Sequence, residues 1–146
     1  MSTLKTAINL YLVSVATTTN LGTKTFCYSY IVSSSCAAWF SSYVGGNDAV
    51  ATDTVAGRAV DGTGWVPVNL NAISSGAPFS MLPVDPAPSA ATPLFYSYTA
   101  SGTQLFKFAA KMESIKFGMG GSSDVVSTDG GVDSSTYEVG SGISTL

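Results

Sequence analysis

The sequence predicts a small α+β protein, with one amphipathic helix at the N-terminus, a small antiparallel β-sheet and long irregular loops. Two patterns carry this prediction. Apolar residues recur at helical spacing over residues 2–16, and apolar and polar residues alternate over residues 103–112. The rest of the chain is rich in glycine, serine and proline, as loops are. With 146 residues, a single domain over residues 1–146 is expected.

The helix over residues 2–16 is predicted from the spacing of its apolar side chains. These are Leu4, Ile8, Tyr11, Leu12 and Val15. Three threonines followed by Asn20, Leu21 and Gly22 end the pattern, because β-branched polar residues and glycine disfavour a continuing helix. A variable loop region is expected from residue 17 to residue 64.

Two cysteines, Cys27 and Cys36, lie within this loop region. Low charge with abundant hydroxyl side chains and glycine favours an exported protein, and in such a compartment the two thiols are expected to form one disulfide. The alternative is two buried free thiols.

Residues 65–117 are predicted to hold a proline-rich crossing and the sheet. Residues 65–70 alternate, and Pro67 favours an edge or irregular strand. The five prolines of residues 74–93 predict a rigid, non-repetitive segment, in which Asp85 accepts backbone N–H groups. A hairpin follows, with strands over residues 94–99 and 103–112.

The second strand of this hairpin is predicted to have one buried and one solvated face. The buried face holds Phe106, Phe108, Ala110 and Met112. The opposite face carries Lys107 and Lys111, which are expected in solvent or in salt bridges between subunits. The acidic, glycine-rich segment over residues 118–146 is predicted to be ordered, because apolar residues are spread along it.

Composition excludes several classes of function. Six basic residues against nine acidic ones, a net charge of −3, cannot form the dense basic face that binds nucleic acid. The absence of histidine excludes histidine-based zinc sites and nucleophiles activated by histidine. No catalytic constellation is found, so the protein is predicted not to be an enzyme.

The order of these segments resembles the globular head of type IV pilins, closest to the major pseudopilins of type II secretion. The segments that carry the resemblance cover most of the chain. They are Leu4-Lys5-Thr6-Ala7-Ile8-Asn9-Leu10-Tyr11, Gly64-Trp65-Val66-Pro67, Leu82-Pro83-Val84-Asp85-Pro86, Phe95-Tyr96-Ser97-Tyr98, Asp129-Gly130-Gly131-Val132-Asp133 and Tyr137-Glu138-Val139-Gly140.

This resemblance implies a helix whose apolar stripe lies on the sheet, and a subunit that assembles with others into a pilus or pseudopilus filament. It also implies a hydrophobic half of the helix before residue 1, absent here, and a leader that a prepilin peptidase removes. That half would be the protein's only contact with the membrane. The expected location is extracytoplasmic: anchored in the inner membrane before assembly, then in a cell-surface or periplasmic filament.

The resemblance further implies a calcium site, because the C-terminal loop of type II major pseudopilins binds calcium. The candidate ligands are Asp124, Asp129 and Asp133, whose carboxylate oxygens suit this hard cation. The alternative is a solvated acidic loop.

A second class of function stays open from the sequence. A secreted β-rich binding module would contact glycan or protein through exposed aromatic side chains. Trp39 and Trp65 are expected in the core or in a lid, with a carbohydrate platform as the alternative.

Overall fold

A computed structural model describes residues 1–15, 21–22, 26–30, 47–50, 55–89, 91–92, 94–101, 104–144 and 146. It has an N-terminal helix and a five-stranded sheet of order β2-β1-β3-β4-β5. The elements are α1 (Ser2–Ser14), β1 (Phe26–Ser29), β2 (Asn47–Val50), β3 (Tyr96–Ala100), β4 (Phe106–Lys111) and β5 (Thr136–Gly140). Four strands pair antiparallel, and β2 joins the edge parallel to β1. The predicted small α+β architecture is confirmed.

Helix α1 ends two residues earlier than predicted. Val15 is already extended, with φ −107° and ψ 107°, and its amide donates back to the Tyr11 carbonyl. Of the predicted stripe, Leu4, Ile8 and Tyr11 are buried, and Leu12 and Val15 lie half-buried against the core. The helix therefore buries one face in the same core that holds the inner residues of the sheet.

The centre of that core is a set of aromatic rings on the helix-facing side of the β3–β4 hairpin. Tyr98 and Phe108 are directly opposed, with ring centroids 4.8 Å apart. Trp65 meets Phe108 edge to face at 6.1 Å, and Phe106 meets it at 5.9 Å. Rings in these orientations stabilise a core beyond the area that they bury. The Tyr98 hydroxyl donates to the Leu21 carbonyl at 2.5 Å, which links the chain beyond α1 to the sheet.

The opposite face of the sheet is also buried, and the prediction of a solvated face is wrong here. Lys107 and Ala109 are fully buried, while Lys111 at the strand end is exposed. The face also buries polar side chains, among them Ser97, whose hydroxyl donates to the Ala109 carbonyl at 3.0 Å. Leu146 lies buried on this side and accepts a hydrogen bond from Lys107, so the C-terminal segment covers part of the face.

The alternating segment at residues 65–70 is not a strand. Among the described residues its one ladder contact is the isolated bridge between Asp61 and Asn69, and a short 3₁₀ helix, Leu70–Ala72, follows. Trp65, Val66, Val68 and Leu70 are buried and Asn69 is exposed. The alternation therefore reflects an irregular segment that packs against the core on one side.

The proline-rich segment is fixed to the core by Arg58, the only arginine of the chain. The Leu82 amide donates to the Arg58 carbonyl at 2.7 Å, and the Arg58 Nε donates to the Leu82 carbonyl at 2.9 Å. The Asp85 carboxylate accepts from the Ala87 amide at 2.9 Å. The expected rigid turn at Asp85 is thus observed.

None of the helices in the described ranges is long and apolar enough to cross a membrane.

Candidate functional site

The acidic C-terminal segment forms two separate hydrogen-bonded loops, the first over residues 120–128 and the second over residues 129–138. In the second, Asp133 holds the loop to the start of β5 and Asp129 holds it to the middle of the same strand. Asp129 accepts from the Gly131 amide at 2.7 Å and from the Glu138 amide at 2.6 Å. Asp133 accepts from the Ser135 amide and hydroxyl and from the Thr136 hydroxyl, at 2.7–3.0 Å. Both carboxylates therefore serve as local acceptors for the loop.

A buried ion pair lies beneath this loop. The Lys107 Nζ is 2.7 Å from the Glu138 Oε1, and both side chains are 0% exposed. Lys107 also donates to the Leu146 carbonyl, and the Glu138 Oε2 accepts from the Asp133 amide at 3.0 Å. The Glu138 Oε1 has no hydrogen-bond partner within the described ranges, so the Lys107 ammonium alone compensates this oxygen.

Strand register brings the pair together. Lys107 is opposite Gly140 and Ala109 is opposite Glu138, so the two charged side chains are diagonal neighbours on one face. Gly131 leaves room for the carboxylate: a Cβ at this position would lie 1.8 Å from the Glu138 Oε2. Glu138 could not be singled out from the sequence, and the expectation of Lys107 in solvent or between subunits is wrong, since each residue alone looks like one member of an ordinary alternating strand.

The electrostatics of Asp133 reflect this environment. Burial raises the pKa of its carboxyl, but the hydrogen bonds from Ser135 and Thr136 and the charge of Lys107 outweigh this effect. The net pKa is lowered, so Asp133 is ionised at neutral pH. The pair is thus embedded in a loop that stays anionic.

Asp124 organises the first loop by itself. Its carboxylate accepts from the amides of Gly120, Val126 and Ser127 and from the Ser127 hydroxyl, all at 2.7–3.0 Å. The Ser127 hydroxyl and the Gly120 and Ser127 amides lower the pKa of Asp124 to about 2. These donors stabilise the ionised form, as helix-capping and Asx-turn hydrogen bonds do.

Two of the three candidate calcium ligands, Asp129 and Asp133, are each hydrogen-bonded to Glu138, and Asp124 lies in the other loop. The Asp129 carboxylate accepts from the Glu138 amide, and the Asp133 amide donates to the Glu138 carboxylate. The hydrogen-bond partners of Asp124 lie within residues 120–128. Across the described ranges, no group of three carboxylate, cysteine or histidine side chains is placed to hold a metal ion. The three carboxylates instead accept hydrogen bonds from backbone amides and from serine and threonine hydroxyls. Calcium binding stays a prediction, which would require these loops to exchange such donors for the cation.

The other predicted sites have different outcomes. The Cys27–Cys36 disulfide lies outside the described residues, as do Trp39 and the side chain of Cys27. Trp65 is 1% exposed and donates its indole N–H to the Pro83 carbonyl at 3.2 Å, so it is a core residue and not a carbohydrate platform.

A cleft of about 360 Å³ opens at the end of the sheet beside Met1. Tyr96, Ala110 and Tyr137 are directly opposite one another on β3, β4 and β5. All three line the cleft, and Asp85, Lys111 and Glu113 also reach it. The cleft therefore combines aromatic walls with charged groups.

Comparison of the chain with protein-family models, with curated proteins and with solved structures gave no match.

The first prediction concerns the buried ion pair. Lys107→Met leaves the Glu138 carboxylate buried without its cation, and the free energy of unfolding should fall by about 3–5 kcal/mol. The double variant Lys107→Met/Glu138→Gln should recover much of this loss, because no buried charge remains and the amide still accepts from Asp133. Denaturant unfolding measures each value.

Lys111→Met is the matched control on an exposed lysine of the same strand, and should change the free energy of unfolding by less than about 0.5 kcal/mol. Equal losses at the two lysines would contradict the role of the pair.

The second prediction concerns pH. The pKa of Asp124 is lowered from 3.8 to about 2, so its ionised form is favoured in the folded state. Its stabilising contribution is therefore fully present above the unfolded pKa and is lost as the pH falls through the folded one. Asp124→Asn should lower Tm at neutral pH, and the difference from the parent protein should shrink between about pH 4 and pH 2. Melting curves across this range measure it, and a gap that stays constant would argue against the lowered pKa.

The third prediction concerns calcium. If the C-terminal loops take up the ion, EDTA should lower Tm and excess calcium should restore it, because a ligand that binds only the folded state stabilises it. Magnesium is the control, since it demands a tighter octahedral geometry. Melting curves that coincide with and without chelator would remove the calcium assignment.

Proposed function

We propose that this chain is the globular head of a structural subunit that assembles into a type IV pilus or a type II secretion pseudopilus. The observation that carries the proposal is that α1 has apolar residues on two faces. One face is buried in the core against the sheet, and the other leaves apolar side chains exposed to solvent.

The first support is the architecture. An N-terminal helix precedes an antiparallel sheet, and the aromatic core joins the two. Leu4 and Ile8 are inserted among core residues, so a pulling force on the helix would be passed to the globular head. This arrangement suits a rod that carries a globular domain on its side.

The second support is the outer face of the helix. Leu10 is 38% exposed and Val13 is 85% exposed, and residues three apart are neighbours on a helix surface. Together they make an apolar strip on the side away from the core. In a filament this strip would pack against the helix of a neighbouring subunit. Such head-to-tail contacts generate an open helical polymer when their rotation does not close a ring.

The proposal also places a hydrophobic helical segment ahead of residue 1. It would anchor the subunit in the inner membrane before assembly and would lie at the filament axis afterwards. The subunit would then reside outside the cytoplasm, at the cell surface or in the periplasm. Its partners would be other subunits of the same filament, and its work would be assembly without a catalytic step.

The fourth prediction tests this function. The complete gene product, with its natural N-terminal segment, should be found in filaments sheared from the native cell and labelled by antibody to the head in electron microscopy. Val13→Asp should greatly reduce the filament yield while leaving the Tm of the head nearly unchanged, because the residue is exposed and makes no core contact.

Ile115→Asp is the matched control. This residue is also β-branched and 93% exposed, but it lies on a loop outside the helix. Filament yield should fall less for it than for Val13→Asp. Recovery of the complete product only as a soluble monomer, or equal yields for Val13→Asp and the parent, would overturn the proposal.

A further inference from the structure

The cleft at the end of the sheet has a simple origin in strand register. Tyr96, Ala110 and Tyr137 form one cross-strand row on the core-facing side. Adjacent strands lie about 4.8 Å apart, so the two tyrosines start roughly 10 Å from each other. Between them stands only the methyl group of Ala110. Two large rings on either side of a small residue leave a slot.

The slot is large enough for a small-molecule ligand and has apolar walls. Its volume is about 360 Å³, within the range of roughly 300–1,000 Å³ for small-molecule sites. Met1, Pro86 and Met112 add apolar surface to the tyrosine walls. A ligand here must therefore present apolar faces to the rings.

Polar groups line the same slot. Asp85 uses one carboxylate oxygen for the Ala87 amide, while the side chains of Lys111 and Glu113 form no hydrogen bond or ion pair with another described residue. Burial and the nearby Asp85 raise the pKa of Tyr96, so its hydroxyl remains protonated. The slot thus offers both donors and acceptors that are free to bind a ligand.

We propose that this slot binds one neutral pyranose ring of a glycan. The C–H faces of a pyranose are apolar and flat enough to stack between tyrosine rings, while its hydroxyls project at the edge. There they can donate to the carboxylates of Asp85 and Glu113 and accept from the ammonium of Lys111. With two carboxylates and one lysine, the slot carries a net negative charge and disfavours acidic sugars. The inference does not depend on filament assembly.

The experiment is an amide chemical-shift titration of the ¹⁵N-labelled protein with methyl glycosides of glucose, galactose and mannose. We expect at least one glycoside to give saturable shifts, with millimolar affinity, at residues 96, 110–114 and 137. The matching glucuronide and the open-chain hexitol sorbitol should give none. Saturable shifts at the same residues from Nα-acetyl-lysine amide and from no glycoside would replace the proposal with a basic-peptide site.

Two variants make the test specific to the slot. Ala110→Leu fills its floor and should weaken glycoside binding about tenfold or more, as should Tyr137→Ser, which removes one wall. Ala72→Leu is the control, because it adds the same side chain at an exposed position outside the slot. Melting curves establish that each variant is folded. Absence of saturable shifts with every glycoside, or equal binding by the parent and both slot variants, would overturn the proposal.

Discussion

The buried pair of Lys107 and Glu138 is the constraint on which the C-terminal half of this structure depends. Removing two charges from water costs several kcal/mol per ion, and only close contact and further hydrogen bonds offset it. Those further bonds come from the Leu146 carbonyl and the Asp133 amide. Loop, strand and chain end must therefore be in place together.

The same pair fixes the register of the sheet. A slip of one residue between β4 and β5 would turn every side chain of the slipped strand to the opposite face. If β4 slipped, Lys107 would enter the core in place of Phe106 and Phe108, and its ammonium would lose the Glu138 carboxylate. An apolar pair would tolerate such a slip better. The ion pair thus contributes specificity where its net contribution to stability is small.

Much of the fold could be predicted from the sequence because its signals are local. Spacing over Leu4, Ile8 and Tyr11 predicted α1, and alternation through Phe106 and Phe108 predicted β4. The second face of the sheet could not be predicted in this way. Lys107 and Leu146 are 39 residues apart, and no periodicity in β4 shows that a distant segment covers it.

The candidate site was predicted in part for the same reason. Asp129 and Asp133 stand out in a glycine-rich loop, and both do organise that loop. Glu138 was missed because its importance depends on the register of β5 against β4. At residues 65–70 the alternating pattern wrongly predicted a strand, because an irregular segment with one side packed on the core produces the same pattern.

The bond between the Glu138 amide and Asp129 has a consequence for how copies of this protein can meet. β5 is the last strand of the sheet, and an outward amide there normally invites another chain to extend the ladder. At the middle of β5 a carboxylate from the same molecule already holds that donor at 2.6 Å. This donor of the β5 edge is thereby withheld from an added strand, so a contact between copies along the middle of β5 would use side-chain surfaces rather than a shared backbone ladder.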